Sequence, residues 1–502
     1  MIFRFPLILV ILLFSGFSQA QVADDIIRYS RLETFSTARS AGVGGGLSAL
    51  GTDFAMIGVN PGGLGNYRKS EFVLSPGLNL DNTESDVLND NEGIESNSKV
   101  KFGFRNLGFV FNRKPRGNKW KTYNVAIGFN QVANYHREFS FAGRTQGSVV
   151  DRFLELAYDG GQAISPEQLD DFEAGLAYET GALFDPDSSD GPDYFNDFEE
   201  GPTVYKMQQV TTKGNINELL IAFAGNYNDK LSIGASFGVP IVNYTYKKIY
   251  NEEDDGPGKE GDIAFFNALK FNEDLNTSGV GFNAKIGATY RVTQAFRFGI
   301  AVHSPTWMRL TDLYYNKLRY NFTGSNGLDV EEEASSPDGT FDYGLTTPWR
   351  AIGSAAFIVG KKGFVTGEVE YLDYSTAKFN FTRNSSSSGD ASYEREVNDE
   401  ILNDFGSAVN LRLGGEIVLS DWRARAGIGL IGKPKIDDDS IDLHYSVGFG
   451  YRGNGFYFDM AYRLFQYQQE YRPYNLVDDD LEPLVEVEGL NNQILTTVGF
   501  RF

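Results

Sequence analysis

The C-terminal part of the chain alternates apolar and polar positions almost without error. In 443–451 the odd-numbered residues are Leu, Tyr, Val, Phe and Tyr, and polar residues or glycine lie between them. The same period of two runs through 456–464 and 494–502, where Phe500 and Phe502 hold the apolar phase. This period predicts β-strands with one apolar and one polar face. Strands this regular indicate a transmembrane β-barrel, apolar outside and polar inside.

Fourteen runs with this period follow an irregular N-terminal portion. They lie near 71–80, 101–112, 121–142, 205–226, 230–250, 276–292, 295–322, 345–360, 362–383, 405–420, 421–434, 440–452, 454–472 and 490–502. Many of them exceed the roughly 9–11 residues that cross a bilayer. The wall is therefore expected to extend beyond the outer leaflet.

The connections between these runs are long and short in strict alternation. The short connections are Arg113–Trp120, Tyr227–Asp229, Val292–Gln294, Lys361, Ser420-Asp421 and Gly453. The long connections cover 81–100, 143–204, 251–275, 323–344, 384–404, 473–489 and the briefer Pro434–Ser440. Outer-membrane barrels have this asymmetry of tight periplasmic turns and long external loops. The predicted fold is all-β, a fourteen-stranded antiparallel transmembrane barrel in the outer membrane of a Gram-negative bacterium.

The first twenty residues read as a signal peptide. Arg4 supplies the positive charge, Pro6–Phe17 is almost wholly apolar, and Ser18-Gln19-Ala20 is a small-x-small cleavage site. About 12 apolar residues are too few for a membrane-spanning helix. The mature chain is expected to begin at Gln21, so 1–20 is excluded from the fold.

Composition excludes several classes of function. The net charge of −22 argues against a nucleic-acid partner, because phosphates require a basic surface. The absence of cysteine excludes disulfides and thiolate metal sites. The histidines His136, His303 and His444 are far apart and show no HExxH spacing, and no GxSxG elbow occurs. We therefore predict neither an enzyme nor a cofactor.

Acidic residues concentrate in the predicted external loops. From Arg144 to Val204 there are 15 Asp and Glu against two Arg. Within this loop Asp185, Asp187, Asp190 and Asp193 are weak candidates for a calcium site, but the spacing departs from that of an EF-hand. The alternative is a solvated acidic loop. A short helix over Val149–Tyr158, capping the barrel mouth, is predicted from apolar residues at helical spacing.

Residues 21–70 do not alternate. They contain Ala38-Arg39, the glycine run Gly44-Gly45-Gly46, Asp53, and then Asn60-Pro61-Gly62-Gly63-Leu64. The glycines lack the GxGxxG spacing of a dinucleotide loop, and short helical turns broken by Gly and Pro are the better interpretation. Together with Thr347-Pro348-Trp349-Arg350 and Leu411-Arg412-Leu413-Gly414-Gly415-Glu416, these segments resemble the FadL-type outer-membrane transporters of long-chain fatty acids and aromatic hydrocarbons.

The resemblance implies a hatch of residues 21–70 inside a barrel of residues 71–502, with the hatch motif at Asn60, Pro61, Gly62 and Leu64. Gly62 stands where the family usually has Ala. The family also implies a ligand exit beside an inward kink in the third strand. In this chain the alternation of that strand breaks at Gln131, Val132, Ala133 and Asn134. The break is either such a gap or a bulge above the membrane.

The resulting functional prediction is an outer-membrane channel for passive uptake of small hydrophobic compounds. The alternative is a barrel of the same fold that serves as an adaptor or anchor for secreted or surface proteins. The expected partners are the lipid bilayer and lipopolysaccharide, a hydrophobic ligand, and the barrel-assembly machinery, whose insertion signal would be Phe500 and Phe502. Lumen-phase arginines, Arg412, Arg423, Arg425, Arg452, Arg463 and Arg501, are expected mainly to pair with carboxylates such as Glu416 and Asp459.

Overall fold

A computed structural model describes residues 20–502 except 89–92, 118, 187–190, 199–200, 255–262, 382–387, 439 and 478–480. The predicted signal peptide thus lies outside the described residues apart from Ala20. Within the described part of the chain, no helix is both long and apolar enough to span a bilayer.

Fourteen antiparallel strands form one closed barrel, as predicted. The strands are β1 (Glu71–Val87), β2 (Glu95–Arg113), β3 (Trp120–Asn134 and Arg137–Gln146), β4 (Thr203–Tyr227), β5 (Leu231–Glu253), β6 (Phe266–Arg291), β7 (Phe296–His303 and Trp307–Thr323), β8 (Asp329–Ser335, Gly339–Thr346 and Arg350–Ile358), β9 (Gly363–Asp373 and Lys378–Asn380), β10 (Ser407–Leu419), β11 (Trp422–Gly432), β12 (Ile441–Arg452), β13 (Phe456–Tyr471) and β14 (Val485–Arg501). Pairing of β1 with β14, from Glu71↔Arg501 to Val87↔Val485, closes the barrel.

The outer face of β5 shows where the bilayer lies. Its outward residues from Leu231 to Ile241 are all apolar, and Ile233 and Phe237 are 51% and 43% exposed. Above this band the outward residues turn polar, beginning with Asn243 and Thr245. The apolar part matches the span of a membrane strand, and the polar part extends the wall beyond the membrane, as expected.

Aromatic side chains ring the end of the barrel that carries the short turns, which is the periplasmic end of an outer-membrane barrel. Trp120 contacts Tyr123 and Tyr227, with ring centroids 5.5 and 5.4 Å apart. Trp422 contacts Tyr451 at 5.1 Å. Amphipathic rings are favoured at the boundary between lipid and water, so this girdle marks the inner surface of the membrane.

The strands are longer at their external ends than the sequence pattern predicted. β1 continues to Val87, β6 begins at Phe266 and β14 begins at Val485, so the predicted loops 81–100, 251–275 and 473–489 are too long. The reason is that the outer face of the wall turns polar above the lipid band. In β1 both faces are then polar from Asp81 to Asp86, and in β14 the apolar phase passes to the inward Val485 and Val487, so the outward apolar pattern is lost.

The long loops contain further elements that cover the external mouth. These are α4 (Val149–Leu156), a small hairpin of Tyr158–Asp159 and Gln162–Ala163, a 3₁₀ turn at Pro166–Gln168, α5 (Ala174–Glu179) and α6 (Ser388–Asp404). A 3₁₀ turn at Tyr374–Thr376 separates the two segments of β9. α4 confirms the predicted helix, and its N-terminus carries a capping box of Ser148 and Asp151. Val150 and Phe153 of α4 are fully buried in an apolar cluster with inward residues of the strands.

The segment before β1, residues 20–70, lies inside the barrel, and we call it the plug. It contains α1 (Ala20–Ser30), α2 (Ala38–Gly42), α3 (Phe54–Ile57) and a 3₁₀ helix (Pro61–Asn66). Thr37 caps α2 and Asp53 caps α3, and the Thr37 hydroxyl donates to the Asp53 carboxylate at 2.8 Å. Burial raises the pKa of Asp53, although Arg39 and the Thr37 hydroxyl act in the opposite direction.

Candidate functional site

The Asn-Pro motif fixes the plug to the wall. Asn60 is fully buried, its Oδ1 accepts from the Gly62 amide at 3.0 Å, and its Nδ2 donates to the Ala288 carbonyl of β6 at 3.2 Å. A Cβ at Gly62 would lie 2.6 Å from the Cα of Ala288. A side chain at this position would therefore clash with the backbone of the wall. Pro61 opens the 3₁₀ helix, and Leu64 is buried against Phe54 and Tyr67.

The glycine run makes a second close contact with the wall. Gly44 has a φ of +70°, and its amide donates to the Ser446 hydroxyl of β12 at 3.0 Å. The plug backbone at Val43 passes so close to β10 and β11 that a Cβ at Gly414 or Gly427 would come within 2.3 Å of it. The plug therefore touches the wall by backbone, and little free space remains there.

Buried ion pairs surround the plug in the lower lumen. Arg425 pairs with Glu416 and Asp459, both at 2.7 Å, and Arg452 also reaches Asp459 at 2.8 Å. Arg412 bridges two glutamates of β9 at 2.6 and 3.1 Å. These arginines thus have lumen carboxylates as partners. Of the remaining predicted arginines, Arg501 pairs with Glu71 at 2.6 Å, Arg463 lies 3.8 Å from Glu33, and Arg423 lies 4.0 Å from Glu416.

Part of the lumen above the ion pairs is apolar, beside the inward Asp312 of β7, whose carboxylate accepts from the Tyr343 hydroxyl at 3.4 Å. Inward residues of β7 and β8 pack against Ile26 and Tyr29 of α1 and against Val397 and Ile401 of α6. The inward residues are Met308, Leu310, Tyr343 and Leu345, all less than a tenth exposed. Barrel interiors are usually polar. This part of the lumen offers an apolar surface, now covered by α1 and α6.

These apolar lumen residues were not predicted from the sequence, although a reversal of the apolar alternation indicates them. In the first segment of β7, the even-numbered Phe298, Ile300 and Val302 face outward. After the interruption at 304–306 the phase reverses, and the even-numbered Met308 and Leu310 face inward. The sequence pattern predicts 295–322 as one strand, and under that prediction no residue of the strand is expected to face a ligand.

The wall is broken between β2 and β3. Their ladder runs only from Arg113↔Tyr123 to Asn106↔Asn130. Beyond that point β2 pairs with β1 alone, up to Glu95, whereas β3 remains paired with β4 through a register shift between Gln131 and Ala133. The predicted break at 131–134 therefore coincides with an unpaired edge of β2.

The upper segment of β3 lies inside the barrel at this break. Lys99 on the inner face of β2 forms an ion pair with Glu138, and Asn97 donates to Ser140 at 2.7 Å. Thr83, on the inner face of β1, donates to the Glu138 carbonyl at 2.7 Å. The upper segment of β3 therefore lies inside the line of the wall. Below these contacts the wall has an opening between β2 and β3.

Residues around the opening face both lipid and the plug. Phe102 and Phe104 of β2 are 60% and 52% exposed on the outer side. A Cβ added at Gly103, between them, would meet nothing within 4 Å. On the inner side a cavity of about 50 Å³ is lined by Leu32, Ser36 and Val132 together with polar residues of the wall. This volume holds a few water molecules, and ligand pockets are typically about 300–1,000 Å³.

The remaining predicted sites are scattered. Asp187 and Asp190 lie outside the described residues, and the Asp193 carboxylate accepts from the Tyr158 hydroxyl at 2.8 Å. The described part of the chain contains no cluster of His, Cys, Asp or Glu suited to a metal ion. Phe500 and Phe502 are 49% and 70% exposed at the barrel closure. Their proposed role as an insertion signal stays a prediction.

No protein-family model matches the chain, and no curated protein does either. Solved structures do. A FadL homologue from Pseudomonas aeruginosa is similar at a TM-score of 0.52 and 13% identity, with 93% of this chain and 98% of that chain covered. The toluene transporters TbuX of Ralstonia pickettii and TodX of Pseudomonas putida give TM-scores of 0.48 and 0.49 at 15% and 12% identity, each over 93% of this chain and 98% of its own. None of the three is named as an enzyme. The chain therefore has the FadL fold, which is that of an outer-membrane barrel.

Proposed function

We propose that the chain is an outer-membrane channel for passive uptake of small hydrophobic compounds such as long-chain fatty acids or aromatic hydrocarbons. The observation that carries the proposal is the break between β2 and β3. A polar solute would gain nothing from an opening towards lipid, whereas an apolar compound can leave the lumen there and enter the membrane directly.

The apolar upper lumen supports the same proposal. A water-filled pore does not bind an apolar compound, whereas a surface of Met308, Leu310, Tyr343 and Leu345 is suited to binding one. Because α1 and α6 cover this surface, one of the two helices has to move before a compound can bind there. We propose that the external loops collect the compound, that it replaces α1 on this surface, and that it then moves towards the opening.

Exit through the opening is favoured over exit past the plug. The plug is tied to the wall by the hydrogen bonds of Asn60 and by close backbone contacts at Gly62 and Val43. Moving it would break these buried contacts. The edge of β2 above Asn106 has no partner on the β3 side, so a passing molecule has no ladder to open there.

The alternative function predicted from the sequence, an adaptor or anchor for secreted proteins, gains no support from the comparisons. We therefore put forward the channel alone.

A tryptophan placed in the opening tests the proposal. Gly103→Trp adds a bulky ring where a side chain meets nothing within 4 Å, so the barrel should fold normally. Gly353→Trp is the matched control, because this outward glycine of β8 also has nothing within 4 Å. In a host that lacks its own channel, Gly103→Trp should lower the initial rate of labelled oleate or toluene uptake severalfold, and the control should not. Equal rates in both variants and the wild type would refute lateral exit.

A further inference from the structure

Two arginines face each other at the periplasmic end of the lumen. Arg291 is the last residue of β6, Arg297 is the second residue of β7, and the two are direct cross-strand partners. Both face the lumen, because the residues two positions away on the same strand face, Thr289 for Arg291 and Gly299 for Arg297, are buried. Both arginines are themselves half-buried. The two residues therefore lie side by side on the inner face of the wall at its periplasmic end, and both are partly open to solvent.

No acidic side chain in the described part of the chain lies within ion-pair distance of this pair. Among the residues that the structure describes, neither arginine forms an ion pair, and the charges that act on Arg297 are those of Arg291, Arg68 and Arg39. Arg68 and Arg39 have partners of their own, Asp229 at 2.5 Å and Glu416 at 3.7 Å. The Nε of Arg297 is buried, with no hydrogen-bond partner among the described residues.

Such an arrangement is unfavourable unless an anion completes it. Like charges directly opposite each other destabilise a strand pair, and a buried N–H without an acceptor costs free energy. An oxyanion between the two guanidinium groups would remove both penalties. Arginine is suited to this role, because its planar fork matches the oxygens of carboxylate and phosphate.

The surroundings of the pair are apolar on one side. The other cross-strand partner of Arg297 is Ala356 of β8. Ala356 belongs to a buried apolar cluster with Leu50 of the plug and Phe364 of β9. A charged group held by the arginines would therefore lie next to apolar side chains, which fits the head group of an amphiphile better than a free inorganic ion.

We propose that Arg291 and Arg297 form an anion-binding site at the periplasmic mouth, which takes the carboxylate or phosphate head group of an amphiphile. A carboxylate would belong to a transported fatty acid, and that case rests on the proposed function. A phosphate would belong to a phospholipid of the periplasmic leaflet, and that case is independent of transport.

Binding to the purified full chain in neutral detergent tests the site. The probes are decanoate, inorganic phosphate and dihexanoyl phosphatidylglycerol, each titrated at constant ionic strength while the thermal unfolding midpoint is followed. At least one probe should raise the midpoint saturably. Arg297→Gln should weaken the apparent affinity by about tenfold or more. Lys361→Gln removes the same charge from an exposed turn at the same end of the barrel and should leave the affinity unchanged.

The outcomes separate the two sources of the anion. A response to decanoate alone assigns the site to a carboxylate, and a response to phosphate and the short phosphatidylglycerol assigns it to a lipid head group. No response to any probe, or equal affinity in the wild type and Arg297→Gln, overturns the proposal. In buffer without probe, Arg297→Gln should unfold at the same temperature as the wild type or higher, because the repulsion is gone. A lower midpoint would mean that Arg297 has a structural partner and would also count against the site.

Discussion

Glu218 of β4 and Lys285 of β6 form an ion pair, and we expect the loss of one partner to lower stability more than the loss of both. The Lys285 Nζ lies 2.6 Å from Oε2 of Glu218, and the side chains are only 9% and 2% exposed. Asn283 donates to the other carboxylate oxygen at 2.9 Å. Gly238 of β5 lies between the two strands, and a Cβ there would come within 2.4 Å of Glu218. The pair borders the cavity beside the opening, so it supports the wall where the ladder ends.

Lys285→Met leaves the Glu218 carboxylate buried without a cation at ion-pair distance. Removing one partner of a buried pair typically costs about 3–5 kcal/mol, whereas replacing both by apolar residues of similar volume is often close to neutral. We therefore expect Lys285→Met to lower the free energy of unfolding by about 3 kcal/mol or more, which is a factor of roughly 100 or more in the unfolding equilibrium. The double variant Lys285→Met with Glu218→Leu should recover most of this loss.

Equilibrium unfolding in guanidinium chloride, with the protein in phospholipid vesicles and followed by tryptophan fluorescence, measures these differences. The four variants of the cycle give the coupling between the two residues. A single-variant cost below about 1 kcal/mol would show that the pair is not desolvated as the structure has it. A double variant no more stable than Lys285→Met would show that the loss came from packing and not from an unpaired charge.

Three further results are expected from single changes. Gly62→Ala should loosen the plug and lower the free energy of unfolding by about 1–3 kcal/mol, because the added methyl group meets the wall backbone. Gly353→Ala is the control and should have no effect. The susceptibility of the plug to protease measures the difference. The first amide of α4 and its cap hydroxyl both donate to the Glu252 carboxylate. Glu252→Gln should therefore destabilise the N-terminus of α4 by about 0.5–2 kcal/mol. The assay is protease cleavage of the external loop on intact cells, which should be faster in this variant than in the control Glu253→Gln. Removal of Phe502 should slow assembly of the barrel severalfold without changing the stability of the folded barrel. The gel shift between folded and heated protein measures the assembly rate. An unchanged rate would show that Phe502 is not part of the insertion signal.

The barrel could be predicted from the sequence because, within the membrane, every strand has to present apolar residues to lipid on its outer face. In β5 this requirement produces apolar residues from Leu231 to Ile241 with small or polar residues between them. Above the membrane the requirement no longer holds, since both faces meet water or loops. For this reason the predicted strands β1, β6 and β14 were too short at their external ends.

The candidate site could be predicted only in part. Asn60 and the break at 131–134 were recognisable, because one belongs to a motif and the other interrupts a regular pattern. The apolar lumen was hidden by the phase reversal at 304–306. The pair of Arg291 and Arg297 was hidden for another reason. Each arginine alone looks like an ordinary turn residue, and only the register of β6 on β7 brings them face to face.

Uptake by whole cells tests the central claim most directly. A host without its own outer-membrane channel for hydrophobic compounds would express the chain, and the initial rates of labelled oleate and toluene entry would be compared with those of the empty host. The proposed channel predicts a severalfold higher rate for at least one compound, and the increase should persist when the proton gradient of the inner membrane is collapsed. Rates equal to those of the empty host for both compounds, with the folded barrel present in the outer membrane, would contradict it.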